Sequence, residues 1–439
     1  MGTKELQNRG RETSGGRGFS LLKAASFGLV ISLMNSLVGP PLLYADDAAI
    51  QEQFHPYNKG EPHIPGLQPG VTLDATNASL AKEVLPDEVL PLLTAGDFTI
   101  YIQATSDLPL RQSYIDATVQ HSQAVALNSG GTLQNYHSGL PFPLLDTADP
   151  QAGEKLAWNF RYRDLGDTFE MWPTTREVSA SGAIEHFDRG IMRIRFGMHR
   201  PNPADNDPQW QEQGIWQKSS FEILSPSDRE GIFRVLTVFD NDERPSEQWR
   251  YSPQTRRTRK DHVNYLAPIG GTYEVLQEES PPSFFHGYLH PYRWTFLGVR
   301  VMLVPGFAKS ADLKFGGKGE WYPQIPWELR RVLLLESMPK ETHPFGRRVY
   351  FIDQQTHAPL LILTYTSEGA FLRLLITAHV DPRFHPRSNS ISLPRLNGGT
   401  AINYTKQRAT LFTAESSTIY NTPLPAERFG LIEILRRGK

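Results

Sequence analysis

The chain has 439 residues, a formal net charge of −2 and no cysteine. Such a balanced charge argues against a nucleic-acid-binding protein, because no overall positive field exists to attract phosphates. The lack of cysteine excludes disulfide bonds and a thiol nucleophile. A mean hydropathy of −0.41 excludes a polytopic membrane protein. Proline (34) and glycine (35) are spread along the chain, which is typical of many strands separated by turns.

Residues 1–45 are predicted to be a secretory signal peptide. Basic side chains precede an apolar run at 24–34: Lys4, Arg9, Arg11, Arg17 and Lys23. Polar residues and the Pro40-Pro41 pair end this run well short of the roughly 20 apolar residues that a transmembrane helix needs. We therefore expect a mature protein that begins near Asp46 and resides in the periplasm. A peripheral contact with the outer membrane is left open.

The first part of the mature chain contains the predicted helices. Residues 46–72 are polar and rich in proline, so we predict extended chain there. Residues 73–439 are predicted to form one domain. Apolar residues at helical spacing predict helices within about 85–127 and a further helix at 154–163.

Strand patterns dominate from about Thr168 onward, and Gly, Pro, Asn or Asp residues bound each strand. The predicted strands are 182–198, 219–224, 233–240, 246–260, 294–304, 328–337, 348–352, 360–366, 371–379 and 409–412, with a last strand at 429–435. Successive strands joined by short turns predict a mainly β (α+β) fold, built on one large, curved antiparallel sheet.

The stretch 248–260 predicts a β-hairpin. Trp249 and Tyr251 alternate with Arg250, so the two aromatic side chains face one side of the strand and the arginine faces the other. Pro253 ends the strand and favours a turn, after which Arg257 begins the returning strand. Five basic residues in this stretch raise the alternative of a nucleic-acid patch, which the balanced charge of the whole chain disfavours.

Aromatic residues are crowded between Trp249 and Trp327, and they include Trp294 and Phe296. One interpretation is that they pack the core and stabilise strand pairs. The other is that they line a cleft for an apolar ligand. The sequence does not separate these two interpretations.

Two groups of polar residues are candidates for chemistry. His379, Asp381 and His385 could converge on a metal, as could His286 with His290, but neither spacing matches a known ligand pattern. Asp240 and Asp242 could act as an acid and base, although an exposed hairpin turn explains them more simply. No nucleophile elbow, phosphate-binding loop or dinucleotide fingerprint is present. We expect no metal, no cofactor and no catalytic residue.

Several motifs together resemble the domain-of-unknown-function family 1329, whose members are described as similar to outer-membrane lipoprotein-sorting proteins. The motifs are the Trp-x-Tyr-x-Pro hairpin with its Arg-Arg-x-Arg return, Leu-Gln-Pro-Gly-Val-Thr-Leu at 67–73, Val-Met-Leu-Val-Pro at 301–305, and the runs 327–336, 343–353 and 362–369. The resemblance covers about residues 67–434.

The resemblance implies a LolA/LolB-like fold, which is an incomplete antiparallel barrel whose concave side is covered by helices. It implies a non-enzymatic periplasmic carrier for a lipid or other hydrophobic molecule, accessory to envelope transport, with a membrane exporter and an outer-membrane protein as candidate partners. The expected ligand-binding residues are Trp249, Arg250, Tyr251, Arg257, Trp294, Phe296 and Trp327, with Arg250 or Arg257 orienting an anionic head group. A structural adaptor for an exporter is the alternative function, and a hydrolase is the third.

Overall fold

The computed structural model describes residues 45–286, 288–384, 392–414 and 419–437. The predicted signal peptide, apart from Ala45, and His385 lie outside these residues. The α-helices are α1 Ala45–Gln53, α2 Leu90–Thr94, α3 Gln112–His121, α4 Ala152–Tyr162, α5 Pro208–Glu212 and α6 Leu431–Arg437. The helix predicted at 154–163 is confirmed as α4.

Strands make up most of the regular structure. They are β1 Thr72–Leu73, β2 Ile100–Ile102, β3 Ala126–Leu127, β4 Leu133–Gln134, β5 Thr168–Met171, β6 Pro173–Ser179, β7 Ile184–Phe196, β8 Ile215–Ser225, β9 Phe233–Phe239, β10 Glu247–Ser252, β11 Arg257–Asp261, β12 Tyr292–Pro305, β13 Phe307–Ala308, β14 Phe315–Gly316, β15 Tyr322–Pro323, β16 Pro326–Pro339, β17 Arg347–Asp353, β18 Pro359–Tyr365, β19 Phe371–Val380, β20 Arg395–Asn403, β21 Arg408–Ala414 and β22 Ile419–Tyr420.

One large antiparallel sheet organises the fold. Its strands follow the order β11, β10, β9, β8, β7, β6, β21, β20, β19, β18, β17, β16 and β12, and each neighbouring pair is antiparallel. Among the described residues, β11 pairs with β10 and β12 pairs with β16, and these two outer strands do not pair with each other, so the sheet does not close. The predicted large, open antiparallel sheet is confirmed.

Both faces of the central strands are buried. On β17, Tyr350 and Ile352 pack with α4 on what we call the first face of the sheet. Val349 and Phe351 pack on the second face, against the segment 67–108. Side chains alternate between the two faces of a strand, and strands covered on both faces read as continuous apolar runs. This explains the run Pro359–Tyr365, which is buried throughout.

The predicted hairpin is confirmed. β10 and β11 pair with Trp249 opposite Lys260 and Tyr251 opposite Thr258. The turn between them contains Arg256 at a positive φ of 51°.

The prediction of extended chain at 46–72 is wrong at its start, where α1 forms. Asp46 and Asp47 lie in the first turn of this helix, where negative charge favours helix formation. Ile50 and Phe54 are four residues apart and both are buried against α3.

The last strand predicted at 429–435 is also wrong, because α6 occupies this stretch. A short apolar run does not distinguish a strand from a helix by periodicity alone. Here Phe429 and Ile434 pack against Phe233 and Tyr251 on the second face.

The predicted helices do not form a single cover. Leu156 and Phe160 of α4 pack on the first face. Leu93 of α2 packs on the second face. The two segments lie on opposite faces because each has its own apolar stripe to bury. Among the described residues, no helix is long and apolar enough to cross a lipid bilayer.

Candidate ligand-binding cavity

A cavity of about 140 Å³ lies on the first face of the sheet. Its floor is formed by β5 to β10 and β21. Its roof is formed by residues between Ile269 and His286, which belong to the connection from β11 to β12. We call the described residues of this connection, 262–286 and 288–291, the covering segment. The side chains that line the floor are Met171, Pro173, Thr175, Asp188, Met192, Ile194, Ser219, Phe221, Ile223, Arg234, Leu236, Gln248, Thr410, Phe412 and Ala414.

Strand pairing explains why these side chains share one surface. Met192 is directly opposite Phe221, and Ser219 is directly opposite both Ile194 and Leu236. Directly opposed residues point to the same face of a sheet, so the pairing extends an apolar floor across three strands. Ile269, Tyr273 and Val275 of the covering segment close the cavity from above. The enclosed space is therefore bounded largely by aliphatic and aromatic side chains.

Buried ion pairs hold the covering segment on the sheet. Arg348 donates to Glu278 at 2.6 Å, and the Tyr292 hydroxyl donates to the same carboxylate at 2.6 Å. Glu279 forms a second ion pair with Arg373. Burial alone would raise the pKa of Glu278, but Arg348 and its hydrogen-bond donors lower it to about 2. The carboxylate is therefore charged at neutral pH and ties the segment to β17.

A second attachment lies nearer the cavity. The backbone N–H of Glu274 donates to Thr410 Oγ1 at 2.7 Å, and its carboxylate accepts hydrogen bonds from Asn403 at 2.8 Å and Lys406 at 2.9 Å. Glu177, on β6, receives a hydrogen bond from Thr410 at 3.2 Å. Burial, followed by the negative charge of Glu274, raises the pKa of Glu177 to about 7.

Polar groups gather at one end of the cavity. Arg229 approaches Asp188 at 2.8 Å, and the Tyr273 hydroxyl donates to Asp188 at 3.0 Å. Burial raises the pKa of Asp188 above its ordinary value despite these partners. Arg234 also lines this end. The cavity thus combines an apolar body with a charged end.

None of the seven predicted ligand-binding residues lines this cavity. Trp249 and Tyr251 point to the second face, where they pack with α6. Arg250 points to the first face but lies 2.9 Å from Asp261, with which it forms an ion pair. Arg257 is exposed at the start of β11.

The other three predicted residues pack in the core, and Trp294 also lines a separate cavity of about 210 Å³ beside α4. Trp294 packs on the first face and donates its indole N–H to the Leu289 carbonyl at 2.9 Å. Phe296 is partly buried beside it, and Trp327 is buried on the second face with Phe98. A role for these residues in ligand binding remains a prediction, and the cavity does not depend on it.

The acidic residues considered for catalysis form hydrogen bonds and ion pairs with neighbouring side chains. Asp240 accepts hydrogen bonds from Tyr162 at 2.7 Å and His199 at 2.8 Å. Burial would raise its pKa, but these partners lower it to about 2. Asp242 pairs with Arg161 at 2.7 Å and accepts the backbone N–H of Leu289. A carboxylate with a pKa as low as that of Asp240 is a poor proton donor and acceptor near neutral pH.

The histidines considered for metal binding are separated. His379 is buried, which lowers its pKa to about 3, and Asp381 forms an ion pair with Arg383 at 2.6 Å. His286 lines the cavity and lies 2.7 Å from Ser283, whereas His290 approaches Asp242 at 3.2 Å. Throughout the part of the chain that the structure describes, no group of three acidic or histidine side chains could hold a metal ion.

The sequence patterns did not identify the cavity residues. They pointed instead to the aromatic and basic residues of the hairpin and to the aromatic residues that follow it. Arg234 shares the first face of β9 with Leu236 and Val238, while Phe233 and Val235 lie on the second face. A charged residue within a strand that is apolar on both faces is unusual, and this was the sequence feature that could have indicated the site.

Three solved structures resemble the chain. A domain assigned to outer membrane lipoprotein sorting from Vibrio parahaemolyticus is 16% identical, with 66% of this chain and 100% of that chain covered and a TM-score of 0.46. A DUF1329 family protein from Desulfovibrio piger is 12% identical, with 65% and 100% covered and a TM-score of 0.46. A LolA superfamily protein from Nitrosomonas europaea is 11% identical, with 62% and 93% covered and a TM-score of 0.37.

No curated protein matches the chain. The family comparison is more extensive, since residues 72–428 match the family described as protein of unknown function DUF1329. This match includes all the strands of the large sheet and leaves out α1 and α6. The chain therefore belongs to the DUF1329 family.

Proposed function

We propose that this chain is a non-enzymatic binding protein that holds an apolar molecule, or the acyl chain of a lipid, between the sheet and the covering segment. The observation that carries the proposal is the 140 Å³ cavity with apolar walls and an ion-paired roof. The basic and apolar pattern before residue 45 supports a periplasmic location. In that compartment, the protein would serve envelope transport by shielding its ligand from water.

Burial of the apolar surface of the ligand is sufficient to explain binding. A cavity of about 150 Å³ lined by apolar side chains accommodates benzene, so a cavity of this size holds roughly six carbon atoms. At about 0.8 kcal/mol for each buried methylene, six such groups stabilise the complex by about 5 kcal/mol. No covalent step is needed. Longer chains would extend past the cavity beneath the covering segment.

Exchange of the ligand then depends on the covering segment. Its attachments are concentrated at Glu274, Glu278 and Glu279, each of which meets the sheet through its side chain. Opening the roof requires these contacts to break, which slows release of the ligand. A partner protein in the envelope that accepts the ligand would replace these contacts with its own.

A substitution that fills the cavity tests the proposal. Ser219→Phe places a ring among the floor residues, whereas Thr237→Phe makes the same type of change on the opposite face of neighbouring β9. We expect the wild type and Thr237→Phe to bind the uncharged fluorophore N-phenyl-1-naphthylamine, with its phenyl ring in the cavity and the rest of the molecule extending past the cavity beneath the covering segment. We expect Ser219→Phe to bind it at least about tenfold more weakly, a loss of about 1.4 kcal/mol. Equal binding by both variants, with both folded by circular dichroism, would reject the cavity as the site.

A structural adaptor is the second candidate, and the outer strand β12 favours it. A bulge between Phe296 and Gly298 interrupts its pairing with β16, and Leu297 and Val299 are exposed on either side of Gly298. Exposed apolar residues on an outer strand mark interaction surfaces. A stoichiometric envelope complex that Leu297→Glu abolishes, together with no fluorophore binding, would favour the adaptor over the carrier.

A further inference from the structure

The cavity contains a charged side chain that the fold leaves without a partner. Arg234, in β9, lines the cavity beside Leu236. Within the described residues it forms no ion pair and no side-chain hydrogen bond, and its Nε atom is also shielded from solvent. The side chain as a whole is half-buried, and a buried guanidinium N–H without an acceptor costs free energy.

The carboxylate at the same end of the cavity is already engaged. Asp188 lies 2.8 Å from Arg229 and accepts a hydrogen bond from Tyr273 at 3.0 Å. Both hydrogen bonds, from Arg229 and Tyr273, are to Asp188 Oδ2, while Oδ1 is approached by Arg229 at 2.8 Å and accepts no hydrogen bond from the described residues. Asp188 acts on Arg234 through its charge, without an ion pair or a hydrogen bond between the two side chains.

The neighbouring strand adds positive charge. Arg250 is directly opposite Arg234, and like charges in this arrangement are destabilising. The acid on this side, Asp261, lies 2.9 Å from Arg250 and 2.7 Å from Arg259, so two arginines share it. Burial and the charge of Arg229 lower the pKa of Arg234, as expected for a cation short of counter-charge.

We infer that the ligand of this cavity is an amphiphile with an anionic carboxylate or phosphate group, which binds Arg234 while its apolar chain lies along the floor. This inference rests on the proposed function. A guanidinium presents a planar fork of donors that matches both carboxylate and phosphate oxygens. Fatty acids and phosphate-bearing lipids share this chemistry. Arg234 takes the role that the sequence had suggested for Arg250 or Arg257.

Three ligands with the same eight-carbon chain test the inference: octanoate, octyl phosphate and 1-octanol. Each is used to displace N-phenyl-1-naphthylamine from the wild-type protein at neutral pH. We expect at least one of the two anions to bind about tenfold or more tightly than 1-octanol, as a charge-assisted hydrogen bond provides. A preference for octanoate identifies a carboxylate ligand, and a preference for octyl phosphate identifies a phosphate ligand.

Variants assign the preference to one side chain. Arg234→Met should remove the preference for an anion. The affinity for the favoured anion should fall about tenfold, while the affinity for 1-octanol should stay within about twofold of the wild-type value. Arg234→Lys should keep part of the preference, because the charge remains. Arg176→Met is the matched control, since Arg176 is half-buried on the other face of the sheet, and it should change neither affinity.

Two results would overturn the inference. If the wild type binds 1-octanol as tightly as both anions, the cavity is a binding site without an anionic preference, and the proposed function stands. If an anionic preference survives Arg234→Met in a folded variant, another residue provides it. Failure of all three ligands and the fluorophore to bind would reject the proposed function itself.

Discussion

At the scale of single residues, one charged side chain in the cavity wall and one that contacts the wall residue Thr410 contain a buried atom without a hydrogen-bond partner. The Arg234 Nε and the Glu177 Oε1 atoms are both buried without a hydrogen-bond partner. Groups of this kind reduce stability, because desolvation is not compensated by a contact. Atoms of this kind also occur elsewhere in the described core, such as Arg348 Nη2 and Ser337 Oγ, so the missing partner alone does not identify a site. Arg234 differs from them because it lines the cavity, where a polar part of a ligand can reach it.

Glu177 makes stability depend on pH. Its pKa of about 7 in the folded protein exceeds the ordinary value of 4.5, so the folded state binds the proton more tightly. The contribution is fully present below about pH 4.5 and is lost as the pH rises through about 7. The loss should reach about 2 to 3 kcal/mol in the free energy of unfolding.

Glu177→Gln should remove this component while it keeps the hydrogen bond to Thr410. Urea unfolding of the variant at pH values on both sides of 7 should show a flatter dependence than the wild type. Glu83→Gln, which alters an exposed carboxylate away from β6, is the control. A wild-type profile that matches the Glu177→Gln profile would contradict this role.

Residues such as Arg234 and Glu177 could not be assigned from sequence. Alternation shows that Arg234 shares a face with Leu236, but it does not show which face borders a cavity. That depends on what covers the sheet, and the covering segment is joined to β17 and β19 by contacts such as Glu278 with Arg348, which are 70 residues apart. Contacts so distant leave no local pattern.

The covering segment is the element on which the site depends. Few of its residues belong to regular structure, and short 3₁₀ turns at Ile269–Gly271 and Gln277–Glu279 are the regular parts. Its order therefore comes from side-chain contacts with the sheet. Arg348 is buried and contacts both Glu278 and Glu279, so it joins the two acidic residues to β17.

Arg348→Met should destabilise the protein by about 3 to 5 kcal/mol, because it leaves buried carboxylates short of counter-charge. Hydrogen–deuterium exchange should increase most in the covering segment. The double variant Arg348→Met/Glu278→Gln should recover part of the loss, since it removes one unpaired charge.

Arg347→Met is the control for this experiment. Arg347 is the neighbouring residue, but its pair with Glu336 at 3.2 Å is partly exposed, so the expected change is within about 1 kcal/mol. Equal losses for the Arg347 and Arg348 variants, or unchanged exchange in the covering segment, would show that the ion pairs do not hold the roof.

Elements with strong local patterns were predicted well. The hairpin of β10 and β11 followed from alternation and a proline turn, and α4 followed from its apolar stripe. Two elements were missed at the ends of the domain. The helical character of α1 and α6 depends on burial against α3 and against Tyr251, which are distant in sequence.

At the scale of the whole molecule, the sheet provides the floor of the proposed binding site. Its central strands are covered on both faces by α4 and by the segment 67–108. Toward β11, the first face is covered by the covering segment instead, and a cavity remains beneath it. The roof and the core are continuous, since Val275 and Phe284 pack in the same apolar cluster as Phe160 of α4. Exchange of the ligand therefore requires the part of the roof over the cavity to open locally, while the contacts around α4 remain.

The central claim is that the cavity holds an apolar ligand, and native mass spectrometry tests it most directly. The wild type and Ser219→Phe would be purified from bacterial envelope without detergent and compared before and after organic extraction. The account predicts an additional mass on the wild type that extracts as a lipid or other apolar molecule and is absent from Ser219→Phe. A wild-type protein that remains free of ligand, even after incubation with envelope lipids, would contradict it.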